Sequence, residues 1–313
     1  MNMDQVIAKE IKLLLTISGL SKGVVSIINS WLDSNFKING RYGWAQLTLI
    51  TCEGTGGTLE TGLQGAVAME LYALAADILD DIQDQDNNDL PWRKVPPAQA
   101  INLATCILVL SYKALSTISN RRHFEDVSNV LNQMGLQACD GQFQEFLNDG
   151  KEKISLEEYF EIIKKKSGGL TASACKIGAI LGDAEQTLVN QLGKFGLTLG
   201  LMSQIKNDFH DFLNIETKSD LVKGRKTLPF VYLLYVLNEI KAEELKRLSS
   251  LASIGPDQFG PKERGQLREL VVNEGTIHYC SVIYEMYKQR AKDILDGIPI
   301  PEKRKEKLIQ LVR

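Results

Sequence analysis

The chain has 313 residues, 44% hydrophobic and 24% charged, with a formal net charge of -3. That composition can bury a sizeable core and excludes a disordered tail, and the near-balanced charge makes no broad electrostatic case for nucleic acid. Five scattered cysteines without a Cys-x-x-Cys pair read as reduced thiols, which excludes a disulfide frame and a zinc site.

The N-terminus lacks the basic-then-apolar layout of a signal peptide. No unbroken run of about 18 apolar residues predicts a membrane span, so the expectation is a cytoplasmic protein, with loose membrane association left open. Helical periodicity runs from end to end. It predicts helices over 4–17, 22–36, 42–53, 58–85, 96–119, 122–148, 155–166, 169–182, 184–213, 226–250, 264–295 and 301–312. Ser155 followed by Glu158 is a capping-box start. No gap is long or biased enough to be an interdomain linker. The expected fold is all-α, one domain over residues 1–313.

The helix predicted over 58–85 ends in Asp77-Ile78-Leu79-Asp80-Asp81-Ile82-Gln83-Asp84-Gln85-Asp86. Positions three and four apart are neighbours, so Asp77, Asp80 or Asp81, and Asp84 share one side. Like charges at this spacing cost roughly 0.2–0.5 kcal/mol per pair. A divalent cation removes that cost, and Mg²⁺ binds through one or two carboxylates, with water and phosphate completing its shell. A solvated acidic helix end is the plain alternative. A calcium loop is excluded, because the positions that need Gly and Glu hold Asp89 and Val95.

The helix over 184–213 repeats the pattern: Gln204, Asn207 or Asp208, and Asp211 share a face. Two apolar helices that each present oxygen ligands one turn apart are a way to build a metal site inside a bundle. Lys164 and Lys165 read as a solvated helix end. Lys166 and, in the Lys223-Gly224-Arg225-Lys226 block, Arg225 or Lys226 are candidates for the outer oxygens of a metal-bound polyanion.

Asp80-Asp81-Ile82-Gln83-Asp84, Asn207-Asp208-Phe209-His210-Asp211, Gln204, Lys166-Ser167 and Gly224-Arg225-Lys226-Thr227-Leu228-Pro229 together resemble the motifs of the all-α trans-prenyltransferases, the isoprenyl diphosphate synthase superfamily. The similarity covers roughly residues 30 to 290. It implies a helix bundle around a central cavity, a homodimer, and Mg²⁺-triggered ionisation of an allylic diphosphate. Catalysis would then rest on Asp80, Asp84, Asp208 and Lys166. Asp77, Asp80, Asp81, Asp84, Asn207, Asp208 and Asp211 supply the metal ligands, with Asp77 an outer or orienting one.

The departures from the superfamily bear on the acceptor. Members that condense with isopentenyl diphosphate carry a Gly-Lys-Arg-x-Arg-Pro block. The matching stretch here is Gly40-Arg41-Tyr42-Gly43-Trp44-Ala45, and the later paired arginines are reduced to Arg93-Lys94. A second diphosphate needs several fixed cations. Arg41 keeps one, while Tyr42 and Trp44 suit an aromatic or peptide acceptor or serve as core. The pattern is similar to ComQ-type enzymes of bacilli, including Asn at the first position of the second motif. That similarity implies transfer of geranyl or farnesyl to a tryptophan of a pheromone precursor peptide, in quorum sensing and competence. A short-chain isoprenyl diphosphate synthase and a non-catalytic subunit of a heteromeric synthase are the alternatives. Small Ala75 and Ala76 before the first motif leave room for either donor.

Overall fold

Most helices form where the periodicity places them. A computed structural model describes residues 2–85, 87–213, 225–254 and 258–312; Asp86, Lys223 and Gly224 of the predicted motifs lie outside the described residues. The helices are α1 (Met3–Thr16), α2 (Lys22–Asn39), α3 (Gly43–Thr55), α4 (Leu59–Gln83), α5 (Pro97–Leu115), α6 (Arg121–Asp149) and α7 (Leu156–Ile163). They continue with α8 (Gly169–Leu181), α9 (Gln186–Leu213), α10 (Leu228–Val236), α11 (Glu239–Ile254), α12 (Pro261–Asn273), α13 (Thr276–Asp296) and α14 (Glu302–Ile309). No strand occurs among the described residues.

The predicted capping box opens α7, with Glu158 N–H donating to Ser155 Oγ at 3.1 Å and Ser155 N–H to Glu158 Oε2 at 2.8 Å. Two predicted helices are each split. The span 226–250 breaks at Leu237, whose backbone turns extended, and Asn238 Oδ1 restarts the chain by accepting Lys241 N–H at 3.0 Å. The span 264–295 breaks at Gly275, where φ is 70°; a side chain there would be strained, so glycine allows the turn. Conversely, two predicted helices join. Lys164–Gly168 forms a π-helical turn that links α7 to α8 without a gap.

Helix α4 is buried almost all round and packs against α3, α5 and α8. Its small residues make this possible: a Cβ at Gly65 would stand 2.5 Å from Leu181 Cδ1. By length and composition α4 and α5 pass for membrane spans, although no unbroken apolar run predicts one. Of α4's apolar window 78% is covered by the protein itself, as expected for a core helix. On the other side, α9 packs against α8 and α13. A Cβ at Gly200 would come within 2.5 Å of the Ser167 carbonyl, so only glycine lets α9 approach the π-turn this closely. One turn further on, Gln204 therefore meets Ser167, whose hydroxyl donates to Gln204 Oε1. A second apolar cluster gathers Phe212 with Phe230, Leu233, Leu245 and Leu267 around α10 to α12.

Candidate active site

Helix α4 on one wall and α6 to α9 on the other enclose a cavity of about 1120 Å³. That exceeds the roughly 300–1,000 Å³ of an ordinary small-molecule site and leaves room for two substrates. The cavity brings the two distant acidic segments together: Asp77, Asp80 and Asp84 face it from α4, and Asn207, Asp208 and Asp211 from α9. Part of its wall is apolar, with Ala75, Ala76, Leu79, Leu108 and Ala138.

Cations bridge the walls. Lys166 Nζ stands 3.2 Å from Asp80 Oδ1 and also pairs with Glu145 of α6. Burial works to lower the Lys166 pKa, but the charges of Glu145 and Asp80 outweigh it and hold it above its usual value. Arg225 Nη2 lies 3.1 Å from Asp84 Oδ2 and donates to the Asp84 carbonyl at 3.3 Å. Lys226 also lines the cavity, its Nζ 5.2 Å from the Phe230 ring centroid. The π-turn carries Lys166 and Ser167 on a local bulge of the kind often found at functional sites.

The carboxylates of this cavity repel one another. Asp84 is pushed up to about 6, first by burial and then by the charge of Asp80, against the opposing pull of Arg225. Asp77 is pushed up to about 7 by burial, then by Asp80, Asp81 and Glu70. Its side chain is open to the cavity and yet ringed by protein, so it touches solvent without the full solvation of an outer surface. This is the electrostatics of a site that favours a cation. Among the described residues no three His, Cys, Asp or Glu side chains converge on one point to cage an ion. Oxygen donors in ones and twos on facing walls fit Mg²⁺, which keeps water and takes substrate phosphate.

The structure separates several predicted residues from this set. Asp81 points away from the cavity: Trp92 Nε1 donates to its Oδ2 at 2.7 Å and Asn87 Nδ2 to its Oδ1 at 2.6 Å. Its place one residue beyond Asp80 turns it about 100° round the helix, into the core. Asp208 is only 3% exposed and its oxygens are already committed. Tyr159 Oη donates to Oδ2 at 2.6 Å, Leu228 N–H to Oδ2 at 2.9 Å and Gln204 Nε2 to Oδ1 at 2.7 Å. Thr227, which precedes α10, makes no side-chain cap, so Asp208 caps that helix from the adjoining α9 and holds the Arg225–Thr227 segment in place. Tyr42 is a core residue, packed at a 45° tilt against Phe36 with 4.9 Å between centroids, and its hydroxyl is pushed up to about 12 chiefly by burial. Arg41 and Trp44 do line the cavity, whereas Arg93 and Lys94 do not.

Sequence reasoning missed Glu70, Glu145 and Tyr159. Glu70 lies on the wall, 2% exposed, with Oε2 accepting Ala45 N–H at 3.0 Å. Burial pushes its pKa up to about 7 against the hydrogen bonds from Ala45 and Trp44. Tyr42 offers α3 no side-chain cap, so Glu70 supplies it and fixes Trp44 at the wall. Its spacing was a usable signal, because Glu70, Asp77 and Asp84 recur at seven residues, nearly two full turns.

The profile of the polyprenyl synthetase family matches residues 25–255. The chain is 30% identical to the tryptophan prenyltransferase ComQ of Bacillus spizizenii over 226 residues, covering 72% of this chain and 76% of that protein. It is 33% identical to ComQ of Bacillus subtilis subsp. natto over 256 residues, 79% of this chain and 74% of the relative. It is also 26% identical to the geranylgeranyl diphosphate synthase of Methanosarcina mazei, over 82% of this chain and 79% of that one. Among solved structures, a geranylgeranyl pyrophosphate synthase shares the fold at a TM-score of 0.87 and 22% identity, covering 100% of this chain and 99% of the other. A cavity lined by paired acidic motifs, on a fold shared with prenyl synthases and with a family profile spanning most of the sequence, leads to one assignment: the chain belongs to the polyprenyl synthetase family and is a prenyl-transferring enzyme.

Proposed function

We propose that the enzyme ionises geranyl or farnesyl diphosphate with Mg²⁺ and transfers the prenyl group to a tryptophan side chain of a precursor peptide, in maturation of a competence or quorum-sensing pheromone. The observation that carries this reading is the uneven distribution of cations. Lys166, Arg225 and Lys226 gather at the acidic motifs, while the α2–α3 side of the cavity has Arg41 alone among the described residues. Arg93 and Lys94 stand off the wall. One diphosphate is well matched and a second is not, because each needs several fixed positive partners. Asn35, Asn39, Gln46 and Trp44 on that side suit a neutral peptide acceptor.

Asp80, Asp84, Asn207 and Asp211 would hold the metal, with Asp208 bracing the wall behind them. Bound Mg²⁺ supplies Lewis-acid neutralisation of the charge that builds on the departing diphosphate. Lys166 and Arg225 exchange Asp80 and Asp84 for diphosphate oxygens, and their hydrogen bonds strengthen as the leaving group gains charge. Ala75, Ala76, Leu79 and Leu108 surround the prenyl chain and keep water from the cation. Exposed apolar side chains on α5 and α6, with Val109 at 62% and Leu136 at 68%, support a homodimer, and we place the enzyme in the cytoplasm.

The test is mass spectrometry of tryptophan-bearing precursor peptides co-expressed with the enzyme. A gain of one geranyl or farnesyl unit, abolished by Asp80→Ala, is the expected result. Unmodified peptides together with steady consumption of isopentenyl diphosphate would establish the second reading, a short-chain synthase, which the similarity to diphosphate synthases favours.

A further inference from the structure

The carboxylates around the cavity differ in one respect. Asp80 pairs with Lys166, Asp84 with Arg225, and Glu145 with Lys166. Glu70 holds the start of α3, and Asp208 takes three donors. Among the described residues, Asp77 alone of the α4 carboxylates on this wall makes no hydrogen bond or ion pair, although its side chain opens into the cavity. Its place along the helix is also distinctive. Asp77 lies one turn, about 4.5 Å of rise, before Asp80, and about 10 Å beyond Glu70, the residue that fixes Trp44. It therefore stands between the end of the cavity that holds the leaving group and the end proposed for the acceptor.

Prenylation of a neutral acceptor has a proton to dispose of. The C1–O bond of the allylic diphosphate breaks with its electron pair on oxygen. The new C–C bond takes a π pair from the acceptor ring, and the adduct is left with one proton too many. We infer that Asp77 is the catalytic proton acceptor of this enzyme, receiving on its free carboxylate the proton that the alkylated acceptor sheds. The proton passes to water when products leave, and the diphosphate departs as its metal salt. The inference rests on the acceptor reading above.

The test uses the full chain, Mg²⁺, geranyl or farnesyl diphosphate, and a tryptophan peptide that the wild-type enzyme alkylates. Asp77→Asn and Asp77→Ala are expected to bind Mg²⁺ and the diphosphate within about twofold of wild type. They should still release inorganic diphosphate, with prenyl alcohol as product, while peptide alkylation falls on the order of 10²-fold or more. Formate should restore alkylation in Asp77→Ala, which loss of a merely structural group would not allow. Wild-type alkylation by Asp77→Asn would overturn the inference. So would a tenfold loss of Mg²⁺ affinity, which would make Asp77 a metal ligand, or an Asp77→Ala enzyme that formate leaves inactive. If the wild-type enzyme alkylates no tryptophan peptide and instead lengthens its donor, the acceptor reading fails first, before any variant is made.

Discussion

Asp208 is a place where burial, hydrogen bonding and charge can be separated by two substitutions. Asp208→Ala removes the acceptor of Tyr159 Oη and of Leu228 N–H, both in buried surroundings. Leaving each donor unsatisfied costs about 1–3 kcal/mol, so a loss of roughly 2–6 kcal/mol is expected; Gln204 adds little, since it borders the cavity and can turn to water. At about 2 °C per kcal/mol for a chain of this size, Tm should fall by roughly 4–12 °C. Asp208→Asn keeps an oxygen facing Tyr159 and Leu228, and Gln204 can flip to accept from the new amide, so at about pH 4, where wild-type Asp208 is neutral, its stability should stay within about 1 kcal/mol of wild type. The pH dependence gives a second arm. Burial, the largest cause, lifts the Asp208 carboxyl from 3.8 to about 6 against the donors from Tyr159, Leu228 and Gln204. A raised acid pKa means the folded state holds the proton more tightly than the unfolded one. The contribution of this group to stability is therefore full below about 3.8 and falls as pH rises to about 6. Asp208→Asn removes that fall, so its stability relative to wild type should improve between pH 4 and 6, by on the order of 3 kcal/mol at most. Thermal and urea unfolding of both variants at the two ends of that window provide the measurement. Equal destabilisation by Ala and Asn, or a neutral Ala, would refute the assignment of Asp208 as a cap and brace. Lost Mg²⁺ binding by Asp208→Asn would return it to the metal ligands.

Trp92→Phe should cost about 1–3 kcal/mol by stripping the indole donor from buried Asp81, and diphosphate binding should stay at the wild-type level. Urea titration and isothermal calorimetry read the two effects. Gly178→Ala would place a Cβ 2.3 Å from the Thr48 carbonyl and force α3 and α8 apart, costing at least about 1–3 kcal/mol. Gly265→Ala, inside α12 with nothing within 4 Å, should instead stabilise by about 0.4–1 kcal/mol; the sign difference in Tm is the check. Glu70→Ala should release the start of α3 and raise KM for the peptide more than for the diphosphate, whereas Glu70→Gln, which can still accept from Ala45, should retain wild-type KM values.

Helix positions were readable because one-sided burial imprints a 3.6-residue period on the chain. The breaks at Leu237 and Gly275 were not, since continuous apolar spacing on either side masked them. For the site, Asp80 and Asp84 stood out by i,i+4 spacing, and Asn207 with Asp211 by the same rule. That spacing is blind to one-residue steps, which is why Asp81 looked equivalent to Asp80 until Trp92 and Asn87 claimed it. Tyr42 and Trp44 likewise looked alike as paired aromatics; helix α3 begins between them and turns one into the core and the other to the cavity.

Local sequence by itself determined that this protein is helical and where two sets of oxygen donors recur along it, because both properties depend on neighbours within one or two turns. Only the tertiary structure decided which of those donors is open to a ligand. Glu70, Glu145 and Tyr159 meet partners 25, 21 and 49 residues away, beyond the reach of helical spacing, and a carboxylate is available or committed according to the donors that other elements bring to it.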